Sequence, residues 1–436
     1  MTLMKFNIEQ YFENLINYNI IFKNRDALNT SYIPDSLPHR DTQIKLLAQI
    51  FGVSLKNAQP SNVFIYGKTG TGKTAVVKFV TKKLINKFID QKIESVPKWI
   101  YINCNEVRTS YRILATILNR LEPREKIPPT GFPRDILIEK LYNIMENQIK
   151  NSICFIILDE IDCLTDINSK NNILYILSRL NETIPSAKVC IIGISNLLDF
   201  KKDLDPRILS SLSEEEIVFP SYNAKEIYDI LIERVSVAFI PNIVDDGALK
   251  LCSALAAEEN GDARRALSIL RKAAELVERR NLNKLNVEHI YEAKEILDLD
   301  TTVEFLKELP VQQKYILFSI YLNHKYNPDV PITTGLLYNT YCELINKGLG
   351  MNVLTPRRVT SLVKDLELAG IIRSDLISKG KPNGRTRYIY FLLSDKQIKK
   401  AFEKDPEFED FLNYIPDTTK NKNYNYRDGM KFQTLI

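Results

Sequence analysis

The sequence NVFIYGKTGTGKTAVVKFV, which runs from Asn62 to Val80, joins an apolar segment to an amphipathic one through a turn that contains three glycines. The apolar residues Val63–Tyr66 predict a short buried strand, because they are rich in β-formers and end at a glycine. After Lys73 the apolar residues recur at helical spacing, which predicts a helix. The turn between them, GKTGTGKT, matches the complete pattern of a phosphate-binding loop, or P-loop.

The physical chemistry of this turn predicts a triphosphate site. Gly70 and Gly72 can adopt backbone angles that disfavour a side chain, so that N–H groups point inward around a phosphate, and the helix dipole adds positive potential there. Lys73 would reach the β- and γ-phosphates, and the Thr74 hydroxyl would bind Mg²⁺. The flanking strand and helix argue against a chance glycine-rich turn. The predicted nucleotide-binding residues are Gly67, Lys68, Thr69, Gly70, Thr71, Gly72, Lys73 and Thr74.

The composition is that of a soluble protein of several domains. A chain of 436 residues, 44% apolar and 26% charged, predicts about three domains. No apolar run is long enough to span a membrane, and the first 24 residues lack the apolar core of a signal peptide, so we expect a cytoplasmic, nucleoid-associated protein. The net charge of +5 permits nucleic-acid binding without requiring it. The six scattered cysteines predict reduced core residues, not a disulfide or zinc site.

Two further apolar segments predict strands that end in polar residues. SICFIILDEIDCL (Ser152–Leu164) places Asp159 and Glu160 at a strand end. Asp159 can hold Mg²⁺ through water, and Glu160 can orient the attacking water or take its proton. KVCIIGISNLL (Lys188–Leu198) ends near Asn196, which can position a water or simply form a turn. The spacing of the three strands predicts an α/β fold with a parallel sheet and a ligand at its carboxyl edge.

The segment NGDARRALSILRKAAELV (Asn260–Val277) predicts an amphipathic helix. Arg264 and Arg265 lie near its start, where a cation is unfavourable unless an anion is close by. A bound phosphate would be such an anion. Ordinary solvated arginines are the alternative.

These motifs, in this order, resemble those of the AAA+ ATPases, and most of all those of the archaeal origin-recognition and cell-division-cycle initiators. The resemblance extends over roughly residues 20–395 and includes YIPDSLPHRDTQI (Tyr32–Ile44), which is similar to the family's adenine-contacting segment and makes His39 and Arg40 candidates for nucleotide binding. It implies catalytic roles for Glu160, for Asn196 as sensor 1 and for Arg264 as sensor 2. Arg207, in LDPRILSSL, is implied to be an arginine finger acting on a neighbouring subunit, with a capping or surface arginine as the alternative.

The resemblance also implies the domain organisation. We expect an N-terminal arm (1–30), a AAA+ P-loop core with a parallel sheet (31–220) and a helical insertion at about 105–135. A small all-helical lid (221–300), a winged-helix domain (301–395) and a C-terminal extension of unassigned role (396–436) follow. The polar segment Asp298–Thr302 is a plausible linker between the lid and the winged helix.

The C-terminal part carries a pattern typical of DNA binding. TPRRVTSLVKDLELAGII predicts a helix that begins after a Thr-Pro cap, and two alternating segments around KGKPNG predict a basic hairpin, or wing. A recognition helix and a basic wing suit the major groove and the phosphate backbone. A solvated basic loop and a protein-binding winged helix are the alternatives. The candidate DNA-binding residues are Arg357, Arg358, Ser361, Lys364, Lys379, Lys381, Arg385 and Arg387, together with Arg112 in the arginine-rich insertion.

The function that the resemblance implies is an ATP-dependent initiator of DNA replication. Such a protein binds double-stranded origin DNA, helps to recruit the replicative helicase, works with other initiator subunits, and hydrolyses ATP slowly with Mg²⁺ while retaining ADP. Two alternatives stay open: a clamp-loader-like ATPase, and a DNA-binding regulator that keeps nucleotide as a structural ligand. A clamp loader usually carries a Ser-Arg-Cys finger motif, whereas this chain has Asp205-Pro206-Arg207.

Overall fold

The computed structural model forms two compact units, Met1–Lys294 and Glu295–Ile436. It describes residues 21–93, 95–124, 126–149, 152–164, 173–184, 188–206, 208, 214–328, 330–348, 351–378 and 385–417.

A five-stranded parallel sheet forms the centre of the first unit. Its strands are β1 (Asn62–Tyr66), β2 (Lys98–Asn103), β3 (Ile153–Asp159), β4 (Lys188–Ser195) and β5 (Glu214–Val218), in the spatial order β2-β3-β4-β1-β5. All neighbouring strands are parallel, so their carboxyl ends lie along one edge. Every residue of β1 and β3 is buried, as expected for strands covered on both faces.

Helices cover both faces of this sheet. They are α1 (Asp41–Gly52), α2 (Lys73–Asp90), α3 (Ser110–Leu121), α4 (Arg134–Gln148), α5 (Ile173–Ser178) and α6 (Leu180–Thr183). One face packs against α1 and α2 through residues such as Phe51, Val76 and Phe155. The other packs against α3 to α5 through residues such as Ile113 and Ile156. The helices α3 and α4 lie in or border the predicted insertion.

The lid follows the sheet as three helices, α7 (Ala224–Ala238), α8 (Asp246–Glu258) and α9 (Ala263–Arg279). Each begins at a side-chain cap, from Asn223, Asp245 and Asp262 respectively, whose oxygen accepts backbone N–H groups of the first turn. The predicted all-helical lid is confirmed.

The predicted linker at Asp298–Thr302 is helical and lies inside a continuous helix, α10 (Val287–Glu308). The segment contains no glycine or proline, and the Thr301 and Thr302 hydroxyls donate to the carbonyls of Leu297 and Asp298 one turn earlier. The helix ends only before Pro310, after which α11 (Val311–Tyr326) begins.

The second unit is a winged helix, as predicted. After α11 come β6 (Ile332–Thr333), α12 (Thr334–Lys347), α13 (Pro356–Leu368), β7 (Ile372–Ser378), β8 (Arg385–Phe391) and α14 (Asp395–Phe402). The strands form an antiparallel sheet in the order β6-β8-β7. Thr355 caps α13, whose first helical position is Pro356.

The described part of the C-terminal extension packs onto this unit. Phe408, Phe411 and Leu412 are buried in its core beside Tyr315 and Phe318 of α11. The ring centroids of Phe318 and Phe408 lie 5.1 Å apart. We refer to residues 403–417 as the C-terminal strap.

All six cysteines lie within the described residues as free thiols, four of them buried, and burial raises the pKa of Cys104 to about 12. The described helices include none that is both long enough and apolar enough to cross a membrane.

Candidate nucleotide-binding site and DNA-binding surface

The P-loop joins β1 to α2 in the predicted conformation. Gly70 and Gly72 have φ angles of +72° and +88°, in the left-handed region that favours glycine. A Cβ on Gly72 would lie 2.9 Å from the Tyr222 hydroxyl, so the loop also needs glycine for space. The loop ends at the N-terminus of α2, with Gly72 as the N-cap, where backbone N–H groups can bind an anion.

Lys73 is buried at the base of the loop and connects it to β4. Its Nζ donates to the carbonyls of Gly67 at 2.6 Å and Lys68 at 2.7 Å, and to Asn196 Oδ1 at 2.9 Å. Burial, followed by the nearby charge of Arg264, lowers the pKa of Lys73 to about 8. Two predicted site residues from separate segments of the chain, Lys73 and Asn196, thus meet here, and the charge of Arg264 acts on Lys73.

Asp159, at the end of β3, accepts hydrogen bonds from the first turn of α2, from the neighbouring strand β2 and from the next residue of the chain. Its Oδ2 accepts from Thr74 Oγ1 at 2.8 Å and from the Tyr101 hydroxyl at 2.7 Å, and its Oδ1 accepts from the Glu160 N–H at 3.0 Å. Tyr101 is a site residue that sequence reasoning missed. The signal available was the alternation in KWIYIN, which places Tyr101 near the carboxyl end of a strand adjacent to β3.

A hydroxyl and a carboxylate in contact fit Mg²⁺, which prefers hard oxygen ligands and is commonly held by one or two carboxylates together with substrate phosphates. Over the described ranges, no group of three or more His, Cys, Asp or Glu side chains could hold a metal by itself. A metal at Thr74 and Asp159 would therefore take its remaining ligands from nucleotide and water.

Glu160 and Asn196 are both held at the carboxyl edge of the sheet by their backbones. Glu160 has a φ of +54°, an unfavourable angle for a residue with a side chain and one that is concentrated at functional sites. The Asn196 N–H donates to Asp162 Oδ1 at 2.9 Å. Asp162, also missed from the sequence, thereby fixes the end of β4 that carries Asn196.

The two arginines of the lid differ in their surroundings. Arg265 Nε donates to Glu259 at 2.8 Å, so the protein itself supplies this arginine's anion. Arg264 lowers the pKa of Lys73 and opposes the rise in the pKa of Tyr101. Its positive charge therefore acts on the P-loop lysine and on the Tyr101 hydroxyl.

His39 and Arg40 are engaged by the protein in this structure. Arg40 is buried, donates from Nε to Thr71 O at 2.9 Å and from Nη2 to Pro220 O at 2.8 Å, and lies 3.6 Å from the Tyr222 ring. The ring of His39 contacts Asp229 at 2.8 Å. Arg40 thus supports the P-loop from behind, whereas a contact of either residue with nucleotide stays a prediction.

Helix α13, the predicted recognition helix, presents a basic exposed face. Val359, Leu362, Val363 and Leu366 are buried against the unit. Arg357, Arg358 and Lys364 are exposed, and Ser361 is half-buried. Among the described residues none of these three cations has a carboxylate within ion-pair distance, so their charge is available to an external anion.

Arg387 has partners within the winged helix. Its Nη1 donates to Ser374 Oγ at 2.7 Å and pairs with Glu367 Oε2 at 3.2 Å, while Glu367 Oε1 accepts from the Ser374 N–H at 2.9 Å. Hydrogen bonds from Ser374 are the largest cause that lowers the pKa of Glu367. These three side chains join α13, β7 and β8, and we call them the wing brace.

Of the remaining candidates for DNA binding and for the arginine finger, Arg112 is described by the structure and the side chains of the others lie outside the described residues. Arg112 is exposed in the first turn of α3. In the same region Arg108 bonds to Asn105 and Arg120 donates to the carbonyl of Tyr101. Arg207, Lys379, Lys381 and the side chain of Arg385 lie outside the described residues.

Comparison with known protein families matches three parts of the chain. An AAA domain matches residues 56–199, a Cdc6 AAA+ ATPase-type lid domain matches 228–295, and a CDC6 C-terminal winged helix domain matches 304–401.

Similar proteins extend over almost the whole length. An ORC1-type DNA replication protein of Pyrococcus abyssi is 43% identical over 408 residues, 93% of this chain and 96% of that protein. ORC1-type DNA replication protein 1 of Archaeoglobus fulgidus is 41% identical over 95% of this chain and 98% of that protein. The structure of the Aeropyrum pernix ORC1 protein in complex with DNA is similar with a TM-score of 0.77 and 36% identity, covering 90% of this chain and 99% of that one.

Proposed function

This chain belongs to the archaeal ORC1-type DNA replication proteins, and from that premise we propose that it is an ATP-dependent replication initiator. In this proposal it binds origin DNA through the winged helix and the core insertion, and helps to recruit the replicative helicase. The observation that carries the nucleotide part is the meeting of Lys73, Asn196, Thr74 and Asp159 at one edge of the sheet, with Arg264 close by.

The proposed reaction is the hydrolysis of ATP to ADP and phosphate. Lys73 would exchange its bonds to loop carbonyls for bonds to the β- and γ-phosphates, and Arg264 would add a second positive charge as charge moves onto the leaving group. Glu160 would orient the attacking water and accept its proton, with Asn196 as the second polar contact of that water. Thr74 and Asp159 would hold Mg²⁺, which supplies further charge neutralisation when bound.

We propose that turnover by the isolated chain is slow. The candidate finger Arg207 would act on a neighbouring subunit's site, and a missing arginine finger can lower the rate by about 10³-fold or more. ADP would then stay bound for long periods, and the nucleotide would work as a switch of conformation.

The DNA part of the proposal rests on the exposed basic face of α13. Arg357, Arg358 and Lys364 lie on the helix that enters the major groove in winged-helix proteins, without internal carboxylate partners among the described residues. The DNA-bound Aeropyrum pernix ORC1 protein, similar over most of both chains, supports DNA binding by this chain. Contacts from Ser361, Arg112 and the wing residues Lys379, Lys381 and Arg385 are part of the proposal.

The test separates binding from turnover. Lys73→Ala should abolish ATP binding in calorimetry, whereas Glu160→Gln should bind ATP and lose most phosphate release. Lys83→Ala, an exposed lysine on the same helix as Lys73, is the matched control and should leave both unchanged. Normal hydrolysis by Glu160→Gln would contradict the role given to Glu160.

The same measurements distinguish the alternatives. A wild-type chain that binds ATP and never releases phosphate, alone or with DNA and neighbouring subunits, would be the regulator with a structural nucleotide. The clamp-loader alternative predicts a helical collar where this chain has a winged helix, and is not proposed further.

A further inference from the structure

The turn that precedes α9 contacts the P-loop at three points. Lys68 Nζ donates to Asn260 Oδ1 at 3.2 Å, and the Ala263 N–H donates to Gly70 O at 3.3 Å. The Asp262 carboxylate lies flat against Gly70, where an added Cβ would come within 1.7 Å of Asp262 Oδ1. The absence of a side chain at Gly70 therefore serves this contact as well as the shape of the loop.

Asp262 has a second role as the cap of α9. Its Oδ1 accepts from the N–H groups of Arg264 at 2.8 Å and Arg265 at 3.4 Å. Capping needs an acceptor oxygen, which Asn or Ser supplies about as well, so the negative charge is not required for it. That charge is also near enough to act on Lys73. A carboxylate beside a loop that binds phosphate opposes binding, and opposes it most for the ligand with the most negative charge.

We propose that the Asp262 carboxylate makes this site discriminate between nucleoside diphosphate and triphosphate, because a γ-phosphate can be accommodated only when the contact between Asp262 and Gly70 opens. The inference rests on the proposed binding of ATP and ADP at the P-loop. A diphosphate leaves the contact closed.

The opposite charges of Asp262 and Arg264 allow the discrimination between nucleotides to change the position of the lid helix α9. Arg264, two residues after Asp262, carries the opposite charge and acts on the same end of the loop. A γ-phosphate therefore attracts the Arg264 side chain and repels the Asp262 side chain. These opposite forces shift the start of α9. The lid helix thereby has two positions, one for each nucleotide, which is the minimum that a conformational switch requires.

The decisive variants are Asp262→Asn and Asp262→Ser, which remove the charge and keep the capping oxygen. Calorimetry with ADP and with ATP, each with Mg²⁺, should show the ratio of Kd for ATP to Kd for ADP falling by about three- to tenfold, the size expected for a screened charge pair. The ADP affinity should change little. Asp245→Asn is the matched control, since Asp245 caps α8 in the same lid by accepting from the Gly247 N–H. The ratio of Kd for ATP to Kd for ADP in Asp245→Asn should equal that of the wild type.

Hydrogen exchange tests the opening itself in the wild-type chain. The Ala263 N–H should exchange faster with ATP bound than with ADP bound, because its bond to Gly70 opens, and this difference should shrink in Asp262→Asn. Equal exchange with the two nucleotides, or an unchanged affinity ratio in folded variants, would overturn the inference while leaving the nucleotide site in place. A wild-type chain that binds neither nucleotide would overturn the proposed function and the inference together.

Discussion

Lys73 and Arg264 bring two positive charges together at the phosphate-binding loop, and Arg264 makes the charged form of Lys73 less favourable. The result is visible in the pKa of Lys73, which burial and then Arg264 lower from 10.5 to about 8. A protein does not gain stability from such an arrangement, so the pair is best explained by an anion that relieves it. The polyphosphate of a nucleotide is the anion that fits the glycines around it.

A proton should therefore be taken up when nucleotide binds above the pKa of Lys73. At about pH 9 the free site is mostly deprotonated at Lys73, and bound phosphates raise the pKa again, so binding takes up close to one proton and affinity falls as the pH rises. Calorimetry in two buffers of different ionisation enthalpy measures this uptake. Lys73→Arg keeps its charge at that pH and should show none. Equal uptake by both proteins would mean that another group titrates.

The Tyr101 hydroxyl should act on the carboxylate that we assign to Mg²⁺. In Tyr101→Phe, Asp159 Oδ2 keeps its bond from Thr74 and loses the one from Tyr101, so its orientation is less well fixed. The Mg²⁺ concentration needed for half-maximal binding of a fluorescent ATP analogue should rise about tenfold, as for other residues that orient a metal ligand. Trp99→Phe, on the same strand without a bond to Asp159, is the control. An unchanged Mg²⁺ requirement in Tyr101→Phe would reduce Tyr101 to a packing residue.

At the scale of elements, the wing brace changes the interpretation of Arg387, a basic residue of the hairpin. Arg387 was predicted as a DNA contact from its place in a basic hairpin, yet its guanidinium is paired with Glu367 and Ser374. A contact with DNA stays a prediction for Arg387. The brace also fixes the positions of β7 and β8 relative to α13. This second role leads to a separate prediction.

We expect Glu367→Gln and Arg387→Ala both to weaken duplex binding about three- to tenfold, because each removes a charged hydrogen bond that positions the wing. The slope of affinity against salt should stay unchanged in Glu367→Gln, which removes no cation. Arg357→Ala, on the exposed face of α13, should instead flatten the log–log slope by about 0.9, the value for one lost phosphate contact. Fluorescence anisotropy at several salt concentrations measures both quantities. A flattened slope for Arg387→Ala alone would make Arg387 a direct contact.

The elements that the sequence predicted are those whose signals are local. The P-loop, the strand ends at Asp159 and Asn196, and the capped start of α13 each lie within a short segment with its own spacing rule. The contacts of Tyr101, Asp162 and Arg40 could not be predicted because their partners lie 58, 34 and 31 residues away. The predicted linker at Asp298–Thr302 lies between the lid match and the winged-helix match, but its helical conformation could not be predicted, since a polar composition describes a solvated helix face as well as a loop.

At the scale of the whole molecule, the division into two compact units falls inside α10, after Lys294. The second unit includes the C-terminal strap, although the winged-helix family match ends at residue 401. Phe408 is 1% exposed and contacts an aromatic cluster with Tyr315, Phe318 and Phe402. The hydroxyl of Tyr315 also donates to Glu407 at 2.8 Å. The strap is thus part of the core of its unit, which the polar and aromatic mixture of the sequence did not indicate.

Phe408→Ala should accordingly destabilise the second unit by about 3–5 kcal/mol, the usual range for truncation of a buried phenylalanine. Trp99 is the only tryptophan of the chain and lies in the first unit, so its fluorescence reports the unfolding of that unit alone. Circular dichroism reports both units. In urea, we expect the Phe408→Ala chain to lose part of its helical signal early while the Trp99 transition keeps the wild-type midpoint. Phe132→Ala, which truncates an exposed phenylalanine of the first unit, is the control and should leave both signals unchanged. If the Trp99 midpoint fell together with the dichroism signal, the two units would unfold as one cooperative body and the strap would stabilise the ATPase core as well.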